Sequence, residues 1–546
     1  MTVLGLGGSG HDWSSCATDG RRLVAVDEER VVGRKYGLGA DLLAGRSRRA
    51  VLDQLGAAPE QVEHVVACDL VPRTFYHSFR RRVAVIDHHL AHAYSAFGAS
   101  GLPRAAVLVA DNSGSLVEGS KTGGGVREVE TITGFVADSS GILPLHRVTG
   151  RHVVDGDSES AYYQPGETDN SLGHFYRAAT LALDFAHTGP TTPHPVSEDG
   201  KTMGLAPYGD DRFVPEVAEL VELLPDGEVR ISAAKVSHVF ERLVESGSFE
   251  DRAALAYAVQ EVLGAAMVHC ANALHARTGL PDLCIAGGVG LNSVANGRVL
   301  RETPFERLFV VPAAGDNGIS LGCAYYGLHR LAGLPLDELP VLRDAYLGPV
   351  YSEQRIEAAL AASGLAVRTG VDLIGRVAEL LAEGRTVGWY DGGSEFGPRA
   401  LGHRSILAAP FPAAMRAHLN DDVKHREWFR PYAPVIRAER AEDYFALAQP
   451  SPFMLIVAEV TRPDEIPAVT HVDGTARLQT LERPQNPPVY DLLGEFEALT
   501  GCPVLLNTSF NVAGRPIVET PEDALDAFAA MDLDHLVLGN RLVSKA

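Results

Sequence analysis

Cysteine is scarce: six residues in 546, at positions 16, 68, 270, 284, 323 and 502, with no CxxC pair among them. That spacing supports neither a zinc ribbon nor a disulfide framework. Cys68, Cys284 and Cys323 fall in apolar runs, where core thiols belong. Positive charge is also short, with 48 Lys and Arg against 70 Asp and Glu and a formal net charge of −22. A nucleic-acid partner needs a positive footprint, so tRNA and similar polyanions are disfavoured. The basic runs Arg46, Arg48, Arg49 and Arg80, Arg81, Arg82 read as solvated faces. No uninterrupted apolar run approaches ~20 residues, and no basic n-region opens the chain; neither a membrane span nor a signal peptide is expected. A cytoplasmic, reducing location follows as the expectation. Internal repeats and low-complexity tracts are also missing. What is left is an ordinary globular composition, 46% hydrophobic and 22% charged, in a chain too long for one core.

Strand-like runs and helical stretches are interleaved throughout, which predicts an α/β or α+β architecture. The longest helical candidate is 253–278, rich in Ala and Leu and ended by Gly279. The Pro-punctuated stretch 332–351 is the main linker candidate, with the domain boundary placed near residue 345 (1–345 and 346–546). The acidic, aromatic stretch 155–169 is a candidate loop over an active site.

The most informative segment is DGGSEFGPRALGHRSIL, Asp391 to Leu407. Gly392, Gly393, Gly397 and Pro398 forbid a helix, so it is a backbone-exposing loop carrying the guanidinium groups of Arg399 and Arg404. Arg offers a planar fork matched to phosphate oxygens. Three more clusters follow: KHREWFRPYAP with Lys424, His425, Arg426 and Arg430; HVDGTAR, ending at Arg477; and NTSFN, with Asn507 and Ser509. One basic cluster is usually a solvated face. Four, each at a strand end or turn, predict a site for a small anion.

The first half opens with a decoy. Gly5, Gly7 and Gly10 satisfy G-x-G-x-x-G, but the pattern requires a helix next, and Asp19-Gly20 instead marks a hairpin. The Rossmann reading is rejected. In DHHLAHAYSAF, His88 and His92 share a helical face and can bind one ion. Asp111, in DNSG, and Asp316, in GDNG, each follow a strand-like run. Two His and two Asp form a mixed N/O set suited to Fe(II), Mn(II) or Zn(II). GGVGLN, with Gly287, Gly288 and Asn292, lets backbone approach a phosphate at a helix start, though tight helix–strand packing explains the same glycines.

GPRALGHRSIL, KHREWFRPYAP, SPFM, HVDGTARLQT and NTSFN resemble the C-terminal half of the ATP-dependent O-carbamoyltransferases, the family of nodulation protein U, the cephem carbamoyltransferases and tobramycin carbamoyltransferase. The likeness extends over nearly the whole chain. It implies an actin/hexokinase-like (ASKHA) N-terminal domain followed by a YrdC-like C-terminal α/β domain. The second domain would make carbamoyl-adenylate from carbamoyl phosphate and ATP, with Mg2+ accompanying the nucleotide. Arg399, Arg404, Lys424, Arg430, Arg477, Asn507 and Ser509 would bind these substrates, Arg399 and Lys424 acting in catalysis. The first domain would transfer the carbamoyl group to a hydroxyl acceptor, a small natural product. There the resemblance implies Fe(II) or another divalent transition metal on His88, His92, Asp111 and Asp316. It further implies nucleotide contacts at Gly287, Gly288, Asn292 and Lys201 (in DGKTMGLAPYG), and a catalytic role for His11. The chain departs from the family pattern at Asn112, Ser115, Ser394 and His403. No nucleic-acid or membrane partner is implied, and the assembly considered is a homodimer. Two other readings stand beside this one: carbamoyl or threonylcarbamoyl transfer to a macromolecule, and an ASKHA-type small-molecule kinase. The first is opposed by the charge and the missing CxxC pairs, the second by the histidines in the metal set.

Overall fold

The computed structural model describes residues 1–9, 11–37, 45–71, 83–117, 126–154, 166–188, 195–368 and 372–545. Gly10, the Arg80–Arg82 patch and positions 155–165 of the candidate loop lie outside them. The chain forms two compact units: Met1–Glu28 with Tyr36–Leu342, and Glu29–Lys35 with Arg343–Ala546. The short excursion at Glu29–Lys35 has no counterpart in the sequence reading.

Unit 1 is built on two mixed sheets. The first runs in the order β3-β2-β1-β4-β5: Leu23–Asp27, Ser14–Thr18, Val3–Gly7, His64–Cys68 and Val83–Ile86. β2 lies antiparallel between β1 and β3, while β4 and β5 run parallel to β1. The hairpin expected at Asp19-Gly20 joins β2 to β3, with Asp19 Oδ1 accepting from the N–H groups of Arg21 and Arg22 at 3.0 and 2.8 Å. In the second sheet the central strand is β6 (Arg104–Ala110). Antiparallel β7 (Val126–Asp138), β8 (Gly141–Val154) and β9 (Gly166–Thr168) lie on one side. Parallel β10 (Asp282–Ala286) and β11 (Arg307–Val310) lie on the other. The five-strand plan therefore occurs twice, as in the actin/hexokinase-type fold. The sequence shows no repeat because the plan is conserved in strand order and direction, which many apolar sequences satisfy, rather than in residues.

A helix follows the fifth strand of each plan: α1, His88–Ser100, after β5, and α2, Ile319–Tyr326, after β11. The two helices pack on each other. They approach closely because there is almost no side chain between them. A Cβ on Gly322 would lie 1.8 Å from the Ala91 carbonyl oxygen. α2 also lies on β1, where a Cβ on Gly5 or Gly7 would stand 2.0 and 2.2 Å from Ser320 main-chain atoms. Two glycines of the decoy motif thus serve helix–strand packing. The long helix Phe249–Thr278 is capped by Ser248, which accepts from Asp251 N at 3.1 Å, and stops at Gly279 in a left-handed conformation (φ 61°). It is long and apolar enough to cross a membrane, yet 72% of its most apolar window is buried in the protein, as a core helix.

Unit 2 carries an eight-stranded mixed sheet. In order its strands are Ala366–Arg368, Arg541–Ser544, His535–Leu538, Val387–Tyr390, Arg404–Ala408, Val504–Ser509, Ala433–Arg437 and Gln479–Leu481. Helices Leu373–Ala382 and Pro487–Thr500 pack against each other beside it, around Trp389, Phe496, Leu505, Phe510 and Phe528. The mixed α/β class expected for both halves is what the structure has.

Gly322→Ala should destabilise unit 1 by about 1–3 kcal/mol, because neither the Ala91 main chain nor α2 can yield without moving the other. Gly200, whose added Cβ would meet nothing within 4 Å in helix Asp199–Leu205, is the control. Its change to Ala should be neutral or slightly stabilising in urea unfolding. Equal midpoints for the two variants would refute the packing argument.

Candidate functional site

In unit 1, α1, the end of β6 and the turn before α2 bring His88, His92, Asp111 and Asp316 together. One ligand atom from each lies within 4.8 Å of all the others. His88 Nε2 is 2.9 Å from Asp111 Oδ2 and 3.5 Å from Asp316 Oδ1; His92 Nε2 is 3.7 and 3.5 Å from the same atoms. All four residues are buried. Burial opposes the charge on Asp111, but hydrogen bonding and the fields of His88 and His92 hold its carboxyl well below the usual range. Among the described residues neither ring nitrogen of His92 has a hydrogen-bond partner. A buried imidazole left without partners beside two carboxylates is costly in a metal-free protein and explained by a cation. The donor set therefore fits a divalent metal.

The surroundings hold the carboxylates in place. Ser9 Oγ donates to Asp316 Oδ2, and Gly288 N donates to Asp111 Oδ1 at 3.1 Å. Gly287, at φ 89°, has no room for a Cβ, which would sit 2.2 Å from the Ala110 carbonyl oxygen. The expected nucleotide loop thus packs on β6 and orients the Asp111 carboxylate. Asn292 likewise caps helix Ser293–Glu302: its Oδ1 accepts from Ala295 N at 3.0 Å, and its amide pairs with Gln260 at 3.0 and 3.1 Å. Lys201 pairs with Glu198 at 2.6 Å. His11 Nδ1 lies 2.9 Å from Asp12 Oδ2 in a part-exposed position, two residues beyond Ser9.

In unit 2, the loop from Asp391 is folded around a carboxylate that the sequence reading passed over. Glu395 Oε1 accepts the main-chain N–H groups of Leu401 and His403 at 2.8 Å and of Arg404 at 3.2 Å. Arg404 has a different place from the one expected. Its guanidinium is fully buried, donates to the carbonyls of Asp391, Gly392, His403 and Glu519, and lies 3.7 Å over the Tyr390 ring. These contacts make it a brace of the loop rather than a phosphate ligand. Lys424 spends its three donors on Ser509 O, Asn511 O and Asn511 Oδ1 at 2.8, 2.8 and 2.7 Å. Ser509 Oγ donates to the same Asn511 oxygen at 2.6 Å. Asn507 donates to Gln479 Oε1 at 2.9 Å, and its own Oδ1 is buried without a partner.

Arg399, Arg430 and Arg477 do converge, and Arg426, from the KHREWFR string, joins them. Burial, then the Arg430 charge, lowers Arg399 to about 10. Burial lowers Arg426 to about 10 as well, and Arg477 falls well below the ordinary arginine value through burial, Arg399, Arg430 and Arg426. Arginine stays protonated near neutrality, so these shifts express burial first and mutual repulsion second rather than loss of charge. Among the described residues no ion pair reaches Arg399 or Arg477, and the Nε of each is buried without an acceptor. Arg430 has Glu427 at 3.5 Å.

Both units match known families. The profile described as carbamoyltransferase N-terminus covers residues 37–325, and that described as carbamoyltransferase C-terminus covers 378–545. The chain belongs to the carbamoyltransferase family. A nodulation protein NolO from Bradyrhizobium diazoefficiens is 35% identical over 475 residues, 84% of this chain and 79% of that protein. A nodulation protein U from Sinorhizobium fredii is 43% identical over 251 residues, 45% of this chain and 42% of the relative. An uncharacterised Synechocystis protein is 37% identical over 506 residues, 84% of this chain and 76% of its own length. Among solved structures, T. kodakarensis HypF gives a partial likeness, with a TM-score of 0.40 and 16% identity over 62% of this chain and 49% of that one.

Glu395→Ala removes the acceptor of three buried N–H groups and should cost unit 2 about 2–5 kcal/mol. Two of the three tryptophans, Trp389 and Trp428, belong to unit 2, so fluorescence-detected urea unfolding reads this directly. A change under about 0.5 kcal/mol, the scatter of neutral surface substitutions, would contradict the organising role.

Proposed function

We propose that this carbamoyltransferase couples ATP to O-carbamoylation: unit 2 makes carbamoyl-adenylate and unit 1 hands the carbamoyl group to a hydroxyl of a small molecule. The observation that carries the proposal is the convergence of the half-buried Arg399, Arg426, Arg430 and Arg477, offset among the described residues by one nearby carboxylate, Glu427. A fixed excess of guanidinium groups is unfavourable alone and favourable around a small polyanion. Carbamoyl phosphate and the phosphates of ATP, with Mg2+, are such ligands. Hydrolysis of the donor's bond to phosphate releases carbamate and phosphate. A carbamate oxygen then attacks the α-phosphorus of ATP and pyrophosphate leaves. Arg399 and Arg477 present the least compensated donors for the transferring groups. Lys424, Ser509 and Asn511 shape the wall of the pocket, since the lysine's donors hold the main chain there.

In unit 1, His88, His92, Asp111 and Asp316 would hold a divalent transition metal such as Fe(II). When bound, such an ion supplies Lewis acidity toward carbonyl or phosphate oxygens. Asp12 orients the His11 ring through Nδ1, and the imidazole would take the proton of the incoming hydroxyl. The products are the carbamate ester and AMP. An antibiotic-type secondary metabolite is the acceptor class we favour, on the resemblance alone. Gly287, Gly288, Asn292 and Lys201 would then frame the adenylate through main chain and helix start rather than through free side-chain ligands.

The first test needs no acceptor. Carbamoyl phosphate, ATP and Mg2+ should yield pyrophosphate and carbamoyl-adenylate with the purified protein, whereas ADP alone would favour the kinase reading. Arg477→Ala should lower adenylate formation by about 2–5 kcal/mol of transition-state binding, roughly 30-fold or more; unchanged rates would remove Arg477 from the site. Asp111→Ala should leave adenylate formation intact and abolish transfer once an acceptor is found. Loss of both steps together would contradict the division of labour.

A further inference from the structure

β4 ends at Cys68, and the next residue, Asp69, faces the start of α1. Cys68 Sγ lies 3.4 Å from His88 Nδ1 and 3.5 Å from Asp69 Oδ1. The same Asp69 oxygen accepts the Ser115 hydroxyl at 3.0 Å, and Ser115 Oγ accepts the main-chain N–H of His88 at 2.7 Å. Four contacts thus close a ring around one imidazole, drawing on three separate chain segments. Cys68 and Ser115 are buried while Asp69 is exposed, so water reaches the carboxylate but does not compete for the thiol. His92, the other imidazole of the set, has no such support.

The direction of the hydrogen bonds follows from which atoms can only accept. An ionised carboxylate has no proton, so Asp69 takes the Cys68 S–H and the Ser115 O–H. The Cys68 sulfur is then left as an acceptor, and the group opposite it, His88 Nδ1, must carry the hydrogen. In the metal-bound site the imidazole is neutral and has only one, so Nε2, the atom facing Asp111 and Asp316, would present its lone pair to the ion. We propose that Cys68, braced by Asp69 and Ser115, is a positioning residue that fixes His88 in the Nδ1–H tautomer and aims its Nε2 at a divalent ion. The inference rests on reading the His88, His92, Asp111 and Asp316 cluster as a metal site. A thiol here occupies the place that a carboxylate or carbonyl usually takes behind a ligating histidine. It also gives the lone cysteine of this strand a purpose beyond filling the core, and gives Ser115, a departure from the family pattern, a partner on each side.

The test is Co(II) binding to the metal-free full chain, followed by visible absorption, for the wild type and three variants. Cys68→Ala and Asp69→Asn should weaken Co(II) binding about 10- to 100-fold. Cys68→Ser, whose hydroxyl accepts and donates in the same two directions, should keep the wild-type affinity. Wild-type affinity in both Cys68→Ala and Asp69→Asn would overturn the proposal, as would an equal loss in Cys68→Ser and Cys68→Ala. A variant whose metal-free melting temperature falls is judged by the absorption band of its loaded fraction. A shifted band supports altered ligand orientation; an unshifted band overturns it. Failure of the wild type itself to bind Co(II) would remove the metal reading, and this inference with it.

Discussion

The approach of α2 to α1 and β1 is the constraint on which unit 1 depends. It is set by main chain meeting main chain: Gly5 and Gly7 against Ser320, and Gly322 against the Ala91 carbonyl. Backbone contacts of this kind have no rotamers with which to adjust, so the separation of the two helices is defined within tenths of an ångström. That separation is also the spacing of the His/Asp cluster, because His88 and His92 ride on α1 while Asp316 sits in the turn that starts α2. The duplicated sheet plan adds a symmetry of position. The loops after the two central strands supply Ser9 and Asp111, and the helices after the two fifth strands bring in His88 and Asp316. Ser9 bonds to Asp316 and Asp111 to His88, so the loop of each half meets the helix that follows a fifth strand. A site assembled this way is positioned by the two cores rather than by surface loops.

Unit 2 uses the opposite device. Its converging arginines sit on loops and, for Arg477, at the end of strand Thr475–Arg477, and buried charges bonded to main chain hold the neighbouring segments in shape. Glu395 gathers three N–H groups, Arg404 gathers four carbonyls, and Lys424 gathers three oxygens of the NTSFN turn. Each is a buried charge solvated by main chain in place of water. Arg399 and Arg477 are different in kind, because among the described residues no carboxylate pairs with them; Arg426 has Asn420 and the Tyr432 ring, and Arg430 has Glu427. Unit 2 thus satisfies its scaffold charges fully and leaves two half-buried guanidinium groups poorly matched.

That distinction marks the limit of what the sequence could disclose. The HxxxH spacing and two aspartates past strand ends were legible, because helical periodicity and strand-end placement are local properties. The hairpin at Asp19-Gly20 and the Gly279 stop were legible for the same reason. Arg404 and Arg399 stand five positions apart in one Gly-rich loop, and composition treats them alike; only the path of the chain places one under Tyr390 and the other among like charges. Gly287 looked like a phosphate loop because close approach to a ligand and close approach to Ala110 require the same absent Cβ. Glu395 and Cys68 gave no signal. A single carboxylate in a loop and a single thiol in an apolar strand are common, and their partners lie 6 to 20 residues away or more.

The two kinds of site suit the two halves of the proposed chemistry. Making an acyl-adenylate brings together several phosphate-rich groups that repel one another, and a preformed excess of positive charge reduces that repulsion in the transition state more than in the separated substrates. Handing the carbamoyl group to a neutral hydroxyl creates little net charge and depends instead on angle, distance and one proton transfer. The first task tolerates loops, provided their cations are fixed. The second requires groups set by a rigid core, and that is where α1, the end of β6 and the turn before α2 place His88, His92, Asp111 and Asp316.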